Sequence, residues 1–395
     1  MDLLLAGAWL ALAYAYLSGR ERPPTGMSPA FFLIGLFLAA TLVEAMLAEN
    51  LARSMFAMRA SVWLMSVLLL VPLWASTPHR RQVLFRAALV VGAIVSAYAM
   101  LRWAIGPASK EKERVLDAAT GFSTNELGEV KLLGSLPSAQ ALTFWSSAMF
   151  AFSLAAALSP IGTRWRLLAV VVAGMCGAAV FGADVRFGMV AAAAGGVAVL
   201  VLFGCARGFT GRRVMPLAAA VVIGTVGVGV FVTTKLTAEG NSGDRFHNLV
   251  TNPIDDNSVQ QRFVKWDTLL AEVDDKPFGK GVGASGAAEK KYARFTSAAS
   301  LDPDSSYVKI AYDQGFVMVV LFAAAILSLL IALAMATMSL SSPIPTASAL
   351  GACGALVAFI VAMSAGSHYE GLVALGPWML VAIGSTALVK SADPG

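Results

Sequence analysis

Four ionisable side chains stand in or beside apolar runs: Glu44 in TLVEAML, Arg59 in FAMRASV, Arg102 in AMLRWAI and Arg186 in GADVRFG. A charge in hydrocarbon is costly, so each needs a partner, a route to the headgroups or a ligand. A guanidinium stays charged at any working pH, and its fork matches two oxygens of a phosphate. Arginines gathered at one depth are what a lipid-linked diphosphate would require. The plainer alternatives are snorkelling, or a Glu44–Arg59 pair that neutralises itself. A fifth candidate, Arg262, comes from the polar stretch QQRFVKWDTL, followed by Lys265 and Trp266.

The chain that must position these groups is 57% hydrophobic and 13% charged, with a mean hydropathy of +0.72. Soluble domains carry roughly 25% charged residues. A bilayer core of about 30 Å takes roughly 20 apolar residues in helix. On that basis the spans are Leu3–Ser18, Pro29–Leu47, Met55–Ser76, Val83–Ile105, Ala139–Leu158 and Leu167–Ala183, then Phe187–Cys205, Val214–Thr233, Val308–Met335, Ala347–Ser364 and Leu372–Val389. The expected fold is an all-α integral membrane protein, a polytopic bundle of about 11–12 spans. The first run lacks a basic segment ahead of it and reads as a span rather than a cleaved signal peptide. Gly/Ala-rich spans point to close helix packing.

Basic residues set the orientation. Alternate short loops hold Arg20 and Arg22, Arg80 and Arg81, Arg164 and Arg166, then Arg207, Arg212 and Arg213. Intervening loops hold Arg53 alone and Arg186 alone. The basic set is expected in the cytoplasm, with the N-terminus outside and the tail KSADPG inside. The expected organisation is N-terminal spans (1–106), an external loop (107–137) whose KEKER run could form an amphipathic helix, central spans (138–234), a large external loop (235–307) and C-terminal spans with the tail (308–395). The net charge of +5 follows from topology and does not imply nucleic acid. Cys176, Cys205 and Cys353 form neither a CxxC pair nor a loop framework, which argues against disulfides and zinc. No metal or cofactor is expected.

The large loop holds nine Lys/Arg and eleven Asp/Glu. Phe263, Trp266, Leu269 and Leu270 recur at helical spacing over Val259–Glu272. Pro277 and the glycines of PFGKGVG then end that helix. This run resembles a phosphate cradle only loosely, and a tight turn is the plainer reading. A nucleophilic hydroxyl needs a group to take its proton. His79 is expected in the cytoplasm, leaving His247 and His368 outside. Asp304, His368 and Glu370 are the candidate bases, with Asp304 equally readable as the N-cap of the next helix. Trp266, Tyr292 and Tyr307 could stack on a ligand ring or simply pack.

The ordered set is a span-end arginine, a long loop with R-x3-W, a P-x-G-x-G turn, then S-Y and an apolar helix. Over roughly Val185–Leu321 it resembles the bacterial O-antigen ligase and polymerase superfamily, which includes Wzy-type surface-polysaccharide polymerases. The resemblance implies glycan transfer from an undecaprenyl diphosphate carrier at the periplasmic face of the inner membrane, without metal or nucleotide. It places the diphosphate on Arg186 and Arg262, with Arg59 and Arg102 as weaker helpers. The partners implied are the lipid-linked donor, a glycan or lipid acceptor, the bilayer and polysaccharide export machinery. O-antigen ligases carry a histidine near the end of the large loop, whereas Asp304 stands here. That departure favours a polymerase over a ligase acting on lipid A–core. A lipid-linked oligosaccharide transporter would place its polar residues near the midplane, often with an internal repeat, and neither is found. A purely structural subunit would leave the span-end arginines without a purpose.

Overall fold

The computed structural model describes residues 2–19, 26–75, 77–109, 113, 132–183, 185–208, 257–292, 303–366 and 371–389. Among these the protein is an all-α polytopic membrane bundle with eight helices long and apolar enough to cross a bilayer. Two shorter apolar helices accompany them. The span expected at Val214–Thr233 lies outside the described residues, as do His247 and most of the 107–137 loop.

The first spans are α1 (Asp2–Leu17) and α2 (Pro29–Leu47). The third departs from expectation. It starts at Leu51 and breaks at Ser61 and Ser66 into α3 (Leu51–Ala60), α4 (Val62–Met65) and α5 (Val67–Trp74). The polar residues of LARSMFAMRA belong to α3, whose Arg53 pairs with Glu289 of the polar segment and whose Arg59 pairs with Asp2. There follow α6 (Pro78–Ile105), α7 (Ala139–Leu158), α8 (Thr163–Gly182) and α9 (Arg186–Ala206). The polar segment contributes α10 (Asn257–Ala271) and the short α11 (Gly286–Tyr292). The chain closes with α12 (Ser306–Ser339), α13 (Pro343–Met363) and α14 (Leu372–Ser385).

Helices α7 and α13 form the centre, with 83% and 78% of their apolar windows buried, against 33% for α2, α6 and α12. Small residues let them approach. A Cβ at Gly195 of α9 would stand 2.7 Å from the Gly354 carbonyl oxygen and 3.0 Å from Ala151 Cβ. Three backbones therefore meet at one point, where lipid offers no hydrophobic drive between helices and packing must hold them.

The ends of α2, α6, α8 and α13 meet the starts of α3, α7, α9, α12 and α14 at one end of the bundle, beneath α10 and α11. This is called the loop end below. At the opposite end Arg81 donates to the Val389 carbonyl at 3.0 Å, joining α6 to the turn that follows α14.

Candidate functional site

The start of α9 is locked to α7. A Cβ at Gly188 would lie 1.6 Å from Thr143 Cγ2, and the Gly188 carbonyl accepts a 2.8 Å hydrogen bond from Ser147 Oγ. Arg186, the first residue of α9, is thus fixed at its backbone two positions from a tight interhelical contact. Helix α10 comes to the same place. Its Leu269 packs with Val273, Val308 and Tyr312, with Trp266 and Leu270 against them. This seats Trp266, Leu269 and Leu270 on the first turns of α12, while Phe263 stays exposed. The Arg262 guanidinium lies 5.5 Å from the centre of the Phe187 ring, beside Arg186 in the chain.

Lys265 sits three residues after Arg262, on the same helical face. Its Nζ is 3.2 Å from Asp304 Oδ2, and the Asp304 side chain keeps 26% exposure. Asp304 does not cap α12: that position belongs to Ser305. One helix face therefore ties Phe187, at the start of α9, to Asp304, just ahead of the N-cap of α12. Trp266, on α10, stacks edge-on with Phe263 at 5.4 Å and buries its indole N–H with no acceptor among the described residues.

The glycine-rich run packs instead of hanging as a free turn. At Gly315 the backbone of α12 leaves helical geometry (φ 83°, ψ 171°), a conformation that favours glycine. The loop fills the kink. A Cβ on Gly315 would stand 2.0 Å from the Pro277 carbonyl oxygen, and Lys280 N donates to the Tyr312 carbonyl at 2.9 Å. On its other side the loop rests on α3, where Ser54 Oγ donates to the Val282 carbonyl at 2.8 Å. Beneath it, Lys309 and Asp313 form a 3.1 Å ion pair at 1% and 2% exposure. Ser285 Oγ donates to Asp313 at 2.7 Å, and Lys309 Nζ donates to the Ser285 carbonyl at 2.8 Å. Burying such a pair is tolerable only when its remaining hydrogen-bonding groups are answered, and the loop answers them. At the rim, Lys280 bonds to Glu272, whose carboxyl that bond holds below its usual range.

The other sequence candidates are dispersed around the loop end. Arg59 pairs with Asp2 at 2.5 Å on the surface, so the alternative of a Glu44–Arg59 pair is not what forms: α3 turns Arg59 towards the start of α1. Arg102 Nε donates to Tyr98 Oη at 2.9 Å and lines a cavity of about 530 Å³ with Leu133 and Ser135. Tyr292 packs edge-on to Phe56 at 5.8 Å. Tyr307 donates to the Ile360 carbonyl at 2.9 Å and faces Phe322, a packing role. His368 and Glu370 lie outside the described residues, but Gly366 before them accepts a 2.7 Å bond from Ser306, and Gly371 after them donates to the Ala60 carbonyl at 2.6 Å.

Lys309 and Asp313 escaped the sequence reading, although two ionisable residues four apart in an apolar helix are a signal of the same kind as Arg186. No group of three or more metal-ligating side chains is found among the described residues.

The stretch from α8 to the first half of α12 contains the locked start of α9, the amphipathic α10, the glycine loop and the α12 kink. Residues 168–323 match the model of the O-antigen ligase family. The resemblance to the O-antigen ligase and Wzy-type polymerase superfamily is thus borne out, over nearly the residues that suggested it. No curated protein matches the chain. The ligase-family match supports a glycan-transfer function in the O-antigen pathway, of ligase or polymerase type.

Proposed function

We propose that this protein polymerises lipid-linked polysaccharide repeat units at the periplasmic face of the inner membrane. The growing glycan would leave undecaprenyl diphosphate for the terminal sugar of an incoming lipid-linked unit. In that step the C1–O bond to the diphosphate breaks, a C1–O bond to the acceptor forms, and the hydroxyl proton passes to a base. The departing diphosphate gains negative charge. Guanidiniums already in place stabilise it without reorganising, so the reading calls on neither metal nor nucleotide.

The observation that carries the reading is the α10 face. Arg262 lies against Phe187, next to Arg186, while Lys265 holds Asp304. One helix face thus brings the Arg262 guanidinium to the residue after Arg186 and holds a partly exposed carboxylate, Asp304. In this reading Arg186 and Arg262 bind the diphosphate. Asp304 takes the proton, with His368 and Glu370 as the other candidates. Arg102 assists from the end of α6, Trp266 borders the sugars, and the export machinery receives the product. Arg59 is already answered by Asp2 and contributes least. The second reading, a ligase delivering glycan to lipid A–core, is favoured by the description of the matching family. The position of Asp304, where ligases carry histidine, favours the polymerase.

The test uses the full chain in nanodiscs with undecaprenyl-diphosphate-linked repeat units and no nucleotide or metal. A product ladder is expected, falling on the order of 10²–10³-fold in Arg186→Ala and Arg262→Ala. Asp304→Asn should lower kcat about 10²-fold with KM little changed. A single transfer seen only with lipid A–core present would make it a ligase. An unchanged ladder in both arginine variants would overturn the site.

A further inference from the structure

Arg86, in VLFRAAL, stands about two turns inside α6, where a charge needs a partner. Other arginines at this end of the bundle, opposite the loop end, are answered by backbone carbonyls. Arg80 donates to Trp74 at 2.9 Å, Arg81 to Ala75 and Val389 at 3.0 Å, and Arg166 to Ala157 at 2.8 Å. Arg86 makes no hydrogen bond or ion pair among the described residues. Its guanidinium lies over the ring of Trp165 on α8, 5.1 Å from the centroid. Of its nitrogens only Nε is sealed from the surface, so the two Nη groups remain open donors. The described residues of α6, α7, α8 and α9 include no Asp or Glu. These helices therefore bring no anion to Arg86.

The depth of this contact follows from the two helices, which run side by side in the same direction. They meet again near the loop end, where a Cβ on Gly182 of α8 would stand 3.3 Å from Trp103 Cδ2 of α6. From 86 to 103, and from 165 to 182, is seventeen residues, on the order of 25 Å of helix. A bilayer core is about 30 Å thick, so a bilayer with one boundary at Trp103 has the other close to Arg86. Long side chains in a helix lean towards its start, which for Arg86 is the nearer membrane surface. Val83 and Val90, about one turn to either side of Arg86, are exposed, as are Leu167 and Val171 of α8. A charged fork at headgroup depth thus borders a lipid-facing apolar wall.

We propose that Arg86 and Trp165 form a binding site for an anionic phospholipid. One phosphodiester takes both Nη groups in the bidentate manner that a guanidinium favours. Trp165 holds the guanidinium plane against its ring, and the acyl chains lie along Val83, Val90, Leu167 and Val171. Arg164, exposed beside Trp165 in the chain, adds a second positive charge. Basic pockets between spans hold anionic headgroups by the same chemistry. The bound lipid joins α6 to α8 at the end away from the α10 face and stabilises the folded chain by mass action. The site does not depend on the glycan-transfer reading.

The experiment titrates the full chain in detergent with phosphatidylglycerol or phosphatidylcholine of the same acyl chains and counts adducts by native mass spectrometry. Phosphatidylglycerol is expected to be preferred, and the preference to fall about fivefold in Arg86→Gln, the share of one basic residue at an anionic surface. Arg207→Gln, which removes an equal charge just past the end of α9, should keep the wild-type preference. An equal fall in the two variants would reveal a diffuse basic surface, and no fall in Arg86→Gln an arginine that serves only water; either overturns the site. Glycerol phosphate, a headgroup without chains, should not displace the adduct, and displacement would overturn the lipid in favour of a soluble phosphate. Thermal unfolding in nanodiscs gives a second readout. Wild type should melt higher in phosphatidylglycerol than in phosphatidylcholine, and Arg86→Gln at the same temperature in both. Arg86 makes no bond within the described protein, so the variant loses none by the change. A lipid-dependent rise that survives in Arg86→Gln would also overturn the proposal.

Discussion

Arg262 and Lys265 share one face of α10, yet they meet different partners: an aromatic ring at the start of α9 and a carboxylate ahead of α12. The first contact makes the guanidinium hard to replace. A lysine at 262 would keep the charge and lose the planar fork that stacks on Phe187 and grips two phosphate oxygens. Arg262→Lys is therefore expected to retain folding and lose on the order of tenfold in kcat/KM for the lipid-linked donor, between wild type and Arg262→Ala; lysine performing as well as arginine would mean that only charge matters there. At this scale the sequence was partly legible. The cost of a charge in hydrocarbon singled out Glu44, Arg59, Arg102 and Arg186, but Lys309 and Asp313 were passed over. The pairing of Arg59 could not be read either, because Asp2 is 57 residues away in sequence and reaches Arg59 only through the break in the third span.

The glycine loop and the α12 kink act as one element. Gly315 supplies a left-handed backbone and Gly279 lies against it: a Cβ on Gly279 would come within 2.7 Å of the Asp313 carbonyl and Gly315 N. Gly315→Ala strains the backbone and drives its methyl into Pro277, a cost of about 1–3 kcal/mol. The expected result is a lower thermal midpoint and faster proteolysis between α10 and α11, and unchanged protease resistance would show that the kink does not hold the loop. The rim bond responds to acid. Glu272 ionises below its usual range because Lys280 donates to it, so its contribution is complete above the ordinary glutamate pKa of about 4.3. That contribution is lost as pH falls through the depressed folded value. Amide protection in the loop, exchange taken relative to its intrinsic rate at each pH, should fall across that acid range and do so less in Glu272→Gln; an identical fall in the variant would exclude this bond as the cause. The helix of α10 was legible from its 3.6-residue period, whose expected and observed limits differ by only a residue or two. The loop's packing was not, since PFGKGVG shows where glycine is tolerated and not what presses on it.

Across the whole molecule, apolar length foretold an all-α bundle, and each expected span within the described residues falls on a helix. Run length cannot say which helices are central. That is decided by side-chain size: α7, α9 and α13 converge where Gly195, Gly354 and Ala151 allow backbone contact. With lipid as solvent, a larger apolar residue at such a point gains little burial and loses close packing. Gly195→Val would place Cβ 2.7 Å from the Gly354 carbonyl oxygen and 2.9 Å from Ala358 Cβ, so the helices must part at a cost of about 1–3 kcal/mol. Gly174 on α8 provides the contrast, because a Cβ there meets nothing within 4 Å. Gly174→Ala relieves the glycine penalty of roughly 1 kcal/mol in a helix interior and touches no neighbour. Thermal unfolding in detergent should therefore show Gly195→Val well below wild type and Gly174→Ala level with it or above. Since the junction also braces α7, which holds Gly188 at the start of α9, Gly195→Val should reduce glycan transfer at temperatures where it remains folded. Equal stability of the two variants would mean that the bundle is held by its loops and not by its small-residue junction.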